Sequence, residues 1–228
     1  MEKENSLSRG FSKAAKDYLF LLNRGYPETP AVTLVGNRYR LDKTERMILF
    51  RGICSSPRAI TRRDKLSASS PGETLTIDGY NLLFTLLNYR LGKRMFLGYD
   101  GFLRDAGGTH GRFSERELFI SLAGEMIRFL KTLGVAKIKF YLDSPVSHSA
   151  EHARALRRIL EETGLPGECI TCDSADFRVK QAKEGLVVTS DAAIIDSTPL
   201  LVFDGARSFL QDRFGASFLD LQEILSGP

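Results

Sequence analysis

Five aspartates in this chain follow short runs of β-branched and apolar residues: Ile77-Asp78, Leu142-Asp143, Cys172-Asp173, Ser190-Asp191 and Phe203-Asp204. Asp176 follows Asp173 in "CDSAD". If the runs are strands of one parallel sheet, all their carboxyl ends lie on one edge, where open α/β sheets bind ligands. Asp is also a good helix N-cap, and a strand-to-helix turn wants one, which accounts for some of these acids, Asp173 and Asp204 among them. Capping leaves the crowding unexplained, because Ser144, Ser147 and Ser174 already offer caps. Two like charges about 4 Å apart repel by ~1 kcal/mol in water and ~4 kcal/mol at an effective dielectric of 20. A cation offsets that cost, and oxygen donors without a His/Cys set select Mg²⁺ or Mn²⁺.

The elements that must position these acids follow from the pattern. Strands are expected at 75–78, 136–143, 168–172, 186–190 and 200–204. Helices are expected at 82–89, 114–133, 147–163, 175–183, 192–196 and 206–214. Continuous apolar runs suit strands covered on both faces, so the alternation predicts an α/β fold of three layers around a mostly parallel sheet. The glycine-rich stretch 91–113 breaks the rhythm and reads as a long functional loop.

Before this domain the chain reads as a small, mainly helical module over 1–54 and a linker over 55–73, leaving 74–228 for the α/β domain. "FSKAAKDYLFLLN" has a helical apolar stripe, and Asp42 with Glu45 forms a capping box. "AVTLVGNRYRL" between them reads as a short extended piece or hairpin around Gly36-Asn37. Residues 1–73 hold 14 Lys and Arg against 8 Asp and Glu, whereas 74–228 hold 18 against 20. Arg38, Arg40, Lys43, Arg46 and Arg51, with Tyr39, form either a phosphate-binding face with a stacking aromatic or a solvated helix face. No apolar run approaches the ~20 residues of a membrane span. Three cysteines imply no disulfide framework and point to a reducing cytoplasm.

Taken in order, "IDGYNLL", "KFYLDS", "SADFRVK" and "LVVTSD" resemble the strand-end motifs of the NYN branch of the PIN-like nuclease superfamily, over roughly 75–204. The whole chain also resembles an uncharacterised prokaryotic family that joins a small helical N-terminal domain to a PIN-like domain. The resemblance implies a Rossmannoid domain that hydrolyses RNA, or less often DNA, with Mg²⁺ or Mn²⁺. Asp78, Asp176 and Asp191 would hold the metal, and Asp143 would ligate it or orient a water. Asn81 would order the Asp78 turn or touch substrate. An additional helix-borne acid of many PIN nucleases has no clear counterpart, with Glu115 and Asp105 as rivals and Glu117 read as a structural cap. His110 and Arg112 in "GGTHGRF" are expected either to contact phosphate or to order the loop. RNA is the expected partner, and a homodimer is allowed. A catalytically silent RNA-binding protein and a small-molecule phosphohydrolase are the alternatives.

Two further pairs offer weaker chemistry. His148 and His152 share a helix face without a third soft ligand, which predicts a surface pair. Cys169 and Cys172 lie within a strand and are expected in the core. There is no GxGxxG, Walker-A or GxSxG motif.

Overall fold

A computed structural model describes residues 7–68, 71–107 and 116–227. The chain divides into two compact units. One comprises Met1–Asp64, Lys93–Gly108 and Phe218–Pro228, and the other comprises Lys65–Gly92 and Thr109–Ser217.

The first unit is built on four helices: α1 (Phe11–Asn23), α2 (Glu28–Arg38), α3 (Lys43–Gly52) and α4 (Ser56–Arg63). The predicted stripe of α1 buries Phe11, Ala14, Ala15, Tyr18 and Leu22. Asp42 caps α3 in a complete capping box, with the Glu45 N–H donating to it at 2.7 Å. The expected extended piece at 31–41 is instead mostly helix α2. Ala31 and Val35 are buried one turn apart, and the Arg46 guanidinium lies against Gly36, where an added Cβ would meet it. The expected linker likewise contains a helix, α4, with Pro57 in its first turn. This boundary moves because Ala59 and Arg62 of α4 are buried.

Part of the glycine-rich stretch also belongs to this unit. Strands β3 (Met95–Leu97) and β4 (Leu103–Asp105) pair antiparallel, and β9 (Leu219–Asp220) lies parallel to β3, followed by α11 (Leu221–Ser226). Phe96 and Leu221 enter the core formed by Phe11, Tyr18, Ile48 and Leu49. Sequence distance hid this, since segments from three regions of the chain complete a single core. In the same unit, Asp100 accepts from Arg104 at 2.7 and 2.8 Å and from Arg62 at 3.1 Å, with all three side chains buried.

The second unit is a three-layer α/β fold. Its sheet contains β1 (Leu66–Ser67), β2 (Thr74–Asp78), β5 (Lys137–Asp143), β6 (Gly167–Cys172), β7 (Leu186–Val188) and β8 (Val202–Phe203). They lie in the order β1-β8-β7-β2-β5-β6, and every pairing is parallel. The helices are α5 (Gly79–Arg90), α6 (Arg116–Thr132), α7 (Ser149–Thr163), α8 (Ala175–Lys180), α9 (Ala192–Ser197) and α10 (Gly205–Phe214). From β2 the chain winds through β5 to β6, then crosses back to β7 and continues outward to β8. Right-handed crossovers in these opposite directions put α5, α6 and α7 on one face and α8 with α9 on the other. The reversal falls between β2 and β7, which makes that point the topological switch of the sheet. Among the described residues no helix is long and apolar enough to cross a membrane.

Candidate active site

The switch point carries the acids. Asp78 ends β2 and serves as N-cap of α5, its Oδ1 accepting from the Asn81 N–H at 3.3 Å. The helix starts tight against β5: a Cβ on Gly79 would meet the Tyr141 carbonyl at 2.9 Å and Leu142 at 2.5 Å. Glycine is therefore required in "IDGYN" for close approach, and the turn delivers Asp78 to the edge. Only 3% of Asp78 is exposed, and its other oxygen accepts from the Thr189 hydroxyl at 3.2 Å.

Asp191 follows three residues after the end of β7, on the other side of the switch. It caps α9, its Oδ1 accepting from the N–H groups of Ala193 at 2.8 Å and Ile194 at 3.1 Å. Asn81 ties the two sides together, its Oδ1 accepting from the Ser190 N–H at 2.8 Å, the Ser190 hydroxyl at 3.2 Å and the Thr189 hydroxyl at 3.3 Å. Asp143 ends β5 and accepts from the Ala175 N–H at 2.8 Å, which pins the start of α8 to the sheet edge. Ser174 caps that helix, and Asp176 stands exposed in its first turn.

The charges of these groups reach one another. Burial pushes the Asp78 carboxyl up to about 7, and the negative charges of Asp176 and Asp191 add to the rise against the bonds from Asn81 and Thr189. Asp176 is also raised, by partial loss of water around its carboxyl and by Asp191 and Asp143, with Lys180 acting in the opposite direction. Carboxyls from two strand ends and one helix start thus form one electrostatic group. They are not a closed cage: among the described residues no three acid, His or Cys side chains are gathered closely enough to enclose a metal ion. The donors are hard oxygens. The neighbouring thiol of Cys172 is raised by burial and by Asp143, and it donates to the Leu142 carbonyl at 3.8 Å.

Other expected residues have other duties. Asp204 is a helix cap, for α10. Asp173 is no cap; it is exposed and accepts from the Ser144 hydroxyl at 3.3 Å. Asp105 belongs to the first unit, where its carboxylate accepts from the Gly107 N–H at 2.9 Å and pairs with Arg51 at 3.4 Å. Its carboxylate is thus engaged within that unit. Arg51 leaves the basic cluster for the same reason, and Arg46 leaves it by donating to the Leu41 carbonyl at 2.9 Å. Arg38 remains exposed beside Asp17 at 3.9 Å, its guanidinium over the Tyr39 ring at 5.6 Å. Arg40 follows with a φ of 54°. His110, Arg112 and Glu115 lie outside the described residues, as does Ser114, the expected capping partner of Glu117.

The histidine expectation is corrected. His148 is exposed, but His152 is fully buried, 3.1 Å from the Tyr80 hydroxyl through Nδ1 and packed on Phe119. Burial, then Arg116 and His148, lower its pKa. The neutral ring is a core partner for the tyrosine of "IDGYN". Cys169 is buried as expected, while Cys172 is only half-buried; all three cysteines are free. Thr189 and Ser190 were not singled out by sequence, although "LVVTSD" marks them by the switch from apolar residues to hydroxyls just before the acid.

Residues 67–204 match the family described as Domain of unknown function (DUF5616), and residues 10–65 match Protein of unknown function (DUF434). An uncharacterised protein of Methanocaldococcus jannaschii is 30% identical over 187 residues, covering 81% of this chain and 88% of the relative. No solved structure matches the chain.

Proposed function

The chain belongs to the DUF5616 family, and we propose that its acidic edge is the active site of a metal-dependent nuclease that hydrolyses RNA phosphodiesters. The observation behind this reading is the placement of Asp78, buried at the switch point with Asp191 across it and Asp176 near enough for its charge to be felt. A purely structural acid at that position gains nothing from two like charges. A site that takes up a cation does, because the repulsion is relieved on binding. The strand-end order resembling PIN-like nucleases points the same way.

Asp78, Asp176 and Asp191 would hold Mg²⁺ or Mn²⁺, and their oxygen-only chemistry fits such an ion. An ion held there would take only a few carboxylate oxygens and keep several waters. Bound there, the ion supplies a Lewis acid for phosphoryl oxygens and lowers the pKa of a water. The chain does the rest. Asn81 and Thr189 hold the two strand ends in register, so Asp78 and Asp191 meet the substrate as one unit. Asp143, bonded through Oδ1 to Ala175, keeps Oδ2 for orienting a water.

One observation favours a silent binding protein instead. Asp78 and Asp191 both act as helix caps, and both oxygens of Asp78 already accept hydrogen bonds. The two readings separate on Asp191→Asn. Asn caps helices as well as Asp, so the fold should persist while Mn²⁺- or Mg²⁺-supported cleavage of RNA disappears. Undiminished cleavage by the variant, or no cleavage by the parent protein with either metal, would remove the nuclease reading. Hydrolysis of a phosphomonoester such as p-nitrophenyl phosphate without RNA cleavage would point to a small-molecule phosphohydrolase.

A further inference from the structure

Phe177 is 59% exposed. Among the described residues it is the one Phe or Tyr of the second unit in the exposed class; the other large exposed apolar residues there are Leu91 and Leu201. Single exposed hydrophobics are common and usually need no account. The position of this one is what distinguishes it. It directly follows Asp176 in the first turn of α8, a turn fixed to the sheet edge by the bond from the Ala175 N–H to Asp143. Its own N–H donates to the Ser174 hydroxyl at 3.2 Å. Ala175 and Val179 bury the inner side of the helix, so Asp176, Phe177 and Arg178 are left outside together. The basic residues Arg178, Lys180 and Lys183 follow within a few positions, the first and last of them exposed.

An aromatic face, flanking cations and an acidic metal-type edge within a few residues make a combination of specific chemistry. The acids repel a phosphate unless a cation intervenes, whereas Arg178 and Lys183 attract the neighbouring phosphates. The ring offers a surface on which any base can stack, since every base has a π-face. We propose that Phe177 is a substrate-positioning residue: it stacks one unpaired nucleobase and so sets the adjoining phosphodiester against the acidic edge. This rests on the reading of that edge as a phosphodiester-cleaving site. A base inside a duplex is covered on both faces, so the ring holds only bases that are already unstacked.

The chain contains no tryptophan, so Phe177→Trp in the full chain creates a single indole reporter at this place. With Mg²⁺ present and Asp191→Asn added to prevent cleavage, a ten-nucleotide single-stranded RNA should quench its emission, and the same sequence as a blunt duplex should not. A single-stranded DNA arm shows whether the sugar matters to the stack. In parallel, anisotropy of a labelled strand should show binding about 5- to 150-fold weaker for Phe177→Ala, the range one base–aromatic stack spans, with Phe177→Tyr restoring most of it. Unquenched indole in a protein that binds the strand, equal affinity for the parent and Phe177→Ala, or equal quenching by the duplex each overturns the proposal. The nuclease reading is judged separately, by cleavage in the parent and its loss in Asp191→Asn. Cleavage retained with no effect at Phe177 sinks only the stacking residue; a parent protein that neither binds nor cleaves sinks both.

Discussion

The side-chain oxygen of Asn81 accepts the backbone N–H of Ser190 at 2.8 Å, and this bond spans the topological switch between β2 and β7. It joins the turn after Asp78 to the residue before Asp191. The two acids are held in mutual register by a neutral amide, which bears the bond without adding a charge to the group.

Asn81→Ala should therefore be costly. The Ser190 N–H lies in a residue only 7% exposed and would lose its acceptor, and the hydroxyls of Ser190 and Thr189 would lose one each. A loss of roughly 1–3 kcal/mol is expected for one buried group left unpaired. Asn81→Asp keeps an acceptor but adds a charge next to Asp78, so it should be no better than Ala at neutral pH. Urea unfolding of the three proteins tests this ranking.

Asp78 predicts an unusual pH profile for the metal-free protein. Its folded pKa of about 7 stands above the ordinary 3.8. Between those values the native state keeps a proton that the unfolded state has lost, so stability falls as pH rises through that window and levels off above it. Each unit of difference is worth about 1.4 kcal/mol. Asp78→Asn should flatten this slope and raise the melting temperature at pH 8. It should also shrink the stabilisation from Mg²⁺ or Mn²⁺, which for an intact site reaches about 2.7 kcal/mol at a hundred times Kd. Thermal melts at pH 5 and 8, with chelator and with metal, check both arms. An intact metal shift in Asp78→Asn would leave Asp78 as a cap alone.

Asp100→Asn should damage the first unit. Burial alone would raise this carboxyl, but Arg104 and Arg62 outweigh it and hold its pKa below the ordinary value. Removing the charge leaves two buried guanidiniums without their counter-ion, at a cost of about 3–5 kcal/mol. The contribution of the triad should be present above the ordinary carboxylate range and be lost as pH falls through the lowered folded pKa. A stability change below 1 kcal/mol by chemical denaturation would contradict this.

The basic excess of the first unit is best tested on the intact chain. Deleting residues 1–73 would strip Phe96 and Leu221 of the partners that bury them, so a weaker binder of that kind would prove little. Arg38 is exposed, and Arg38→Gln with Arg40→Gln should leave stability unchanged. If both neutralise phosphates, RNA affinity should fall and the slope of log affinity against log salt should become shallower by about 1.4, or 0.7 per single-strand phosphate. An unchanged slope would assign these arginines to a solvated helix face.

Much of the second unit was legible in the sequence because its determinants are local. Apolar runs of strand length, ended by Asp, Ser or Gly, mark β2, β5, β6, β7 and β8 within a residue or two. The carboxyl-edge argument then places Asp78, Asp143 and Asp191 together once the sheet is parallel. Asp42 and Glu45 announce their capping box for the same reason, since both partners lie within one turn.

What lay beyond the sequence depends on partners distant along the chain. Whether Gly36 turns the backbone or receives Arg46, and whether Asp105 faces a substrate or Arg51, is decided by what packs opposite, and no local pattern encodes that. His152 shares its helical spacing with His148, yet one is buried against Tyr80 and Phe119 and the other is in water. The same holds at the site. The sequence determined that acids would crowd one edge; the strand order determined that Asp78 and Asp191 flank the switch point. Burial and the neighbouring carboxylates then raise the Asp78 pKa, because the free energy of a charge depends on the solvent and charges around it and not on its own residue type.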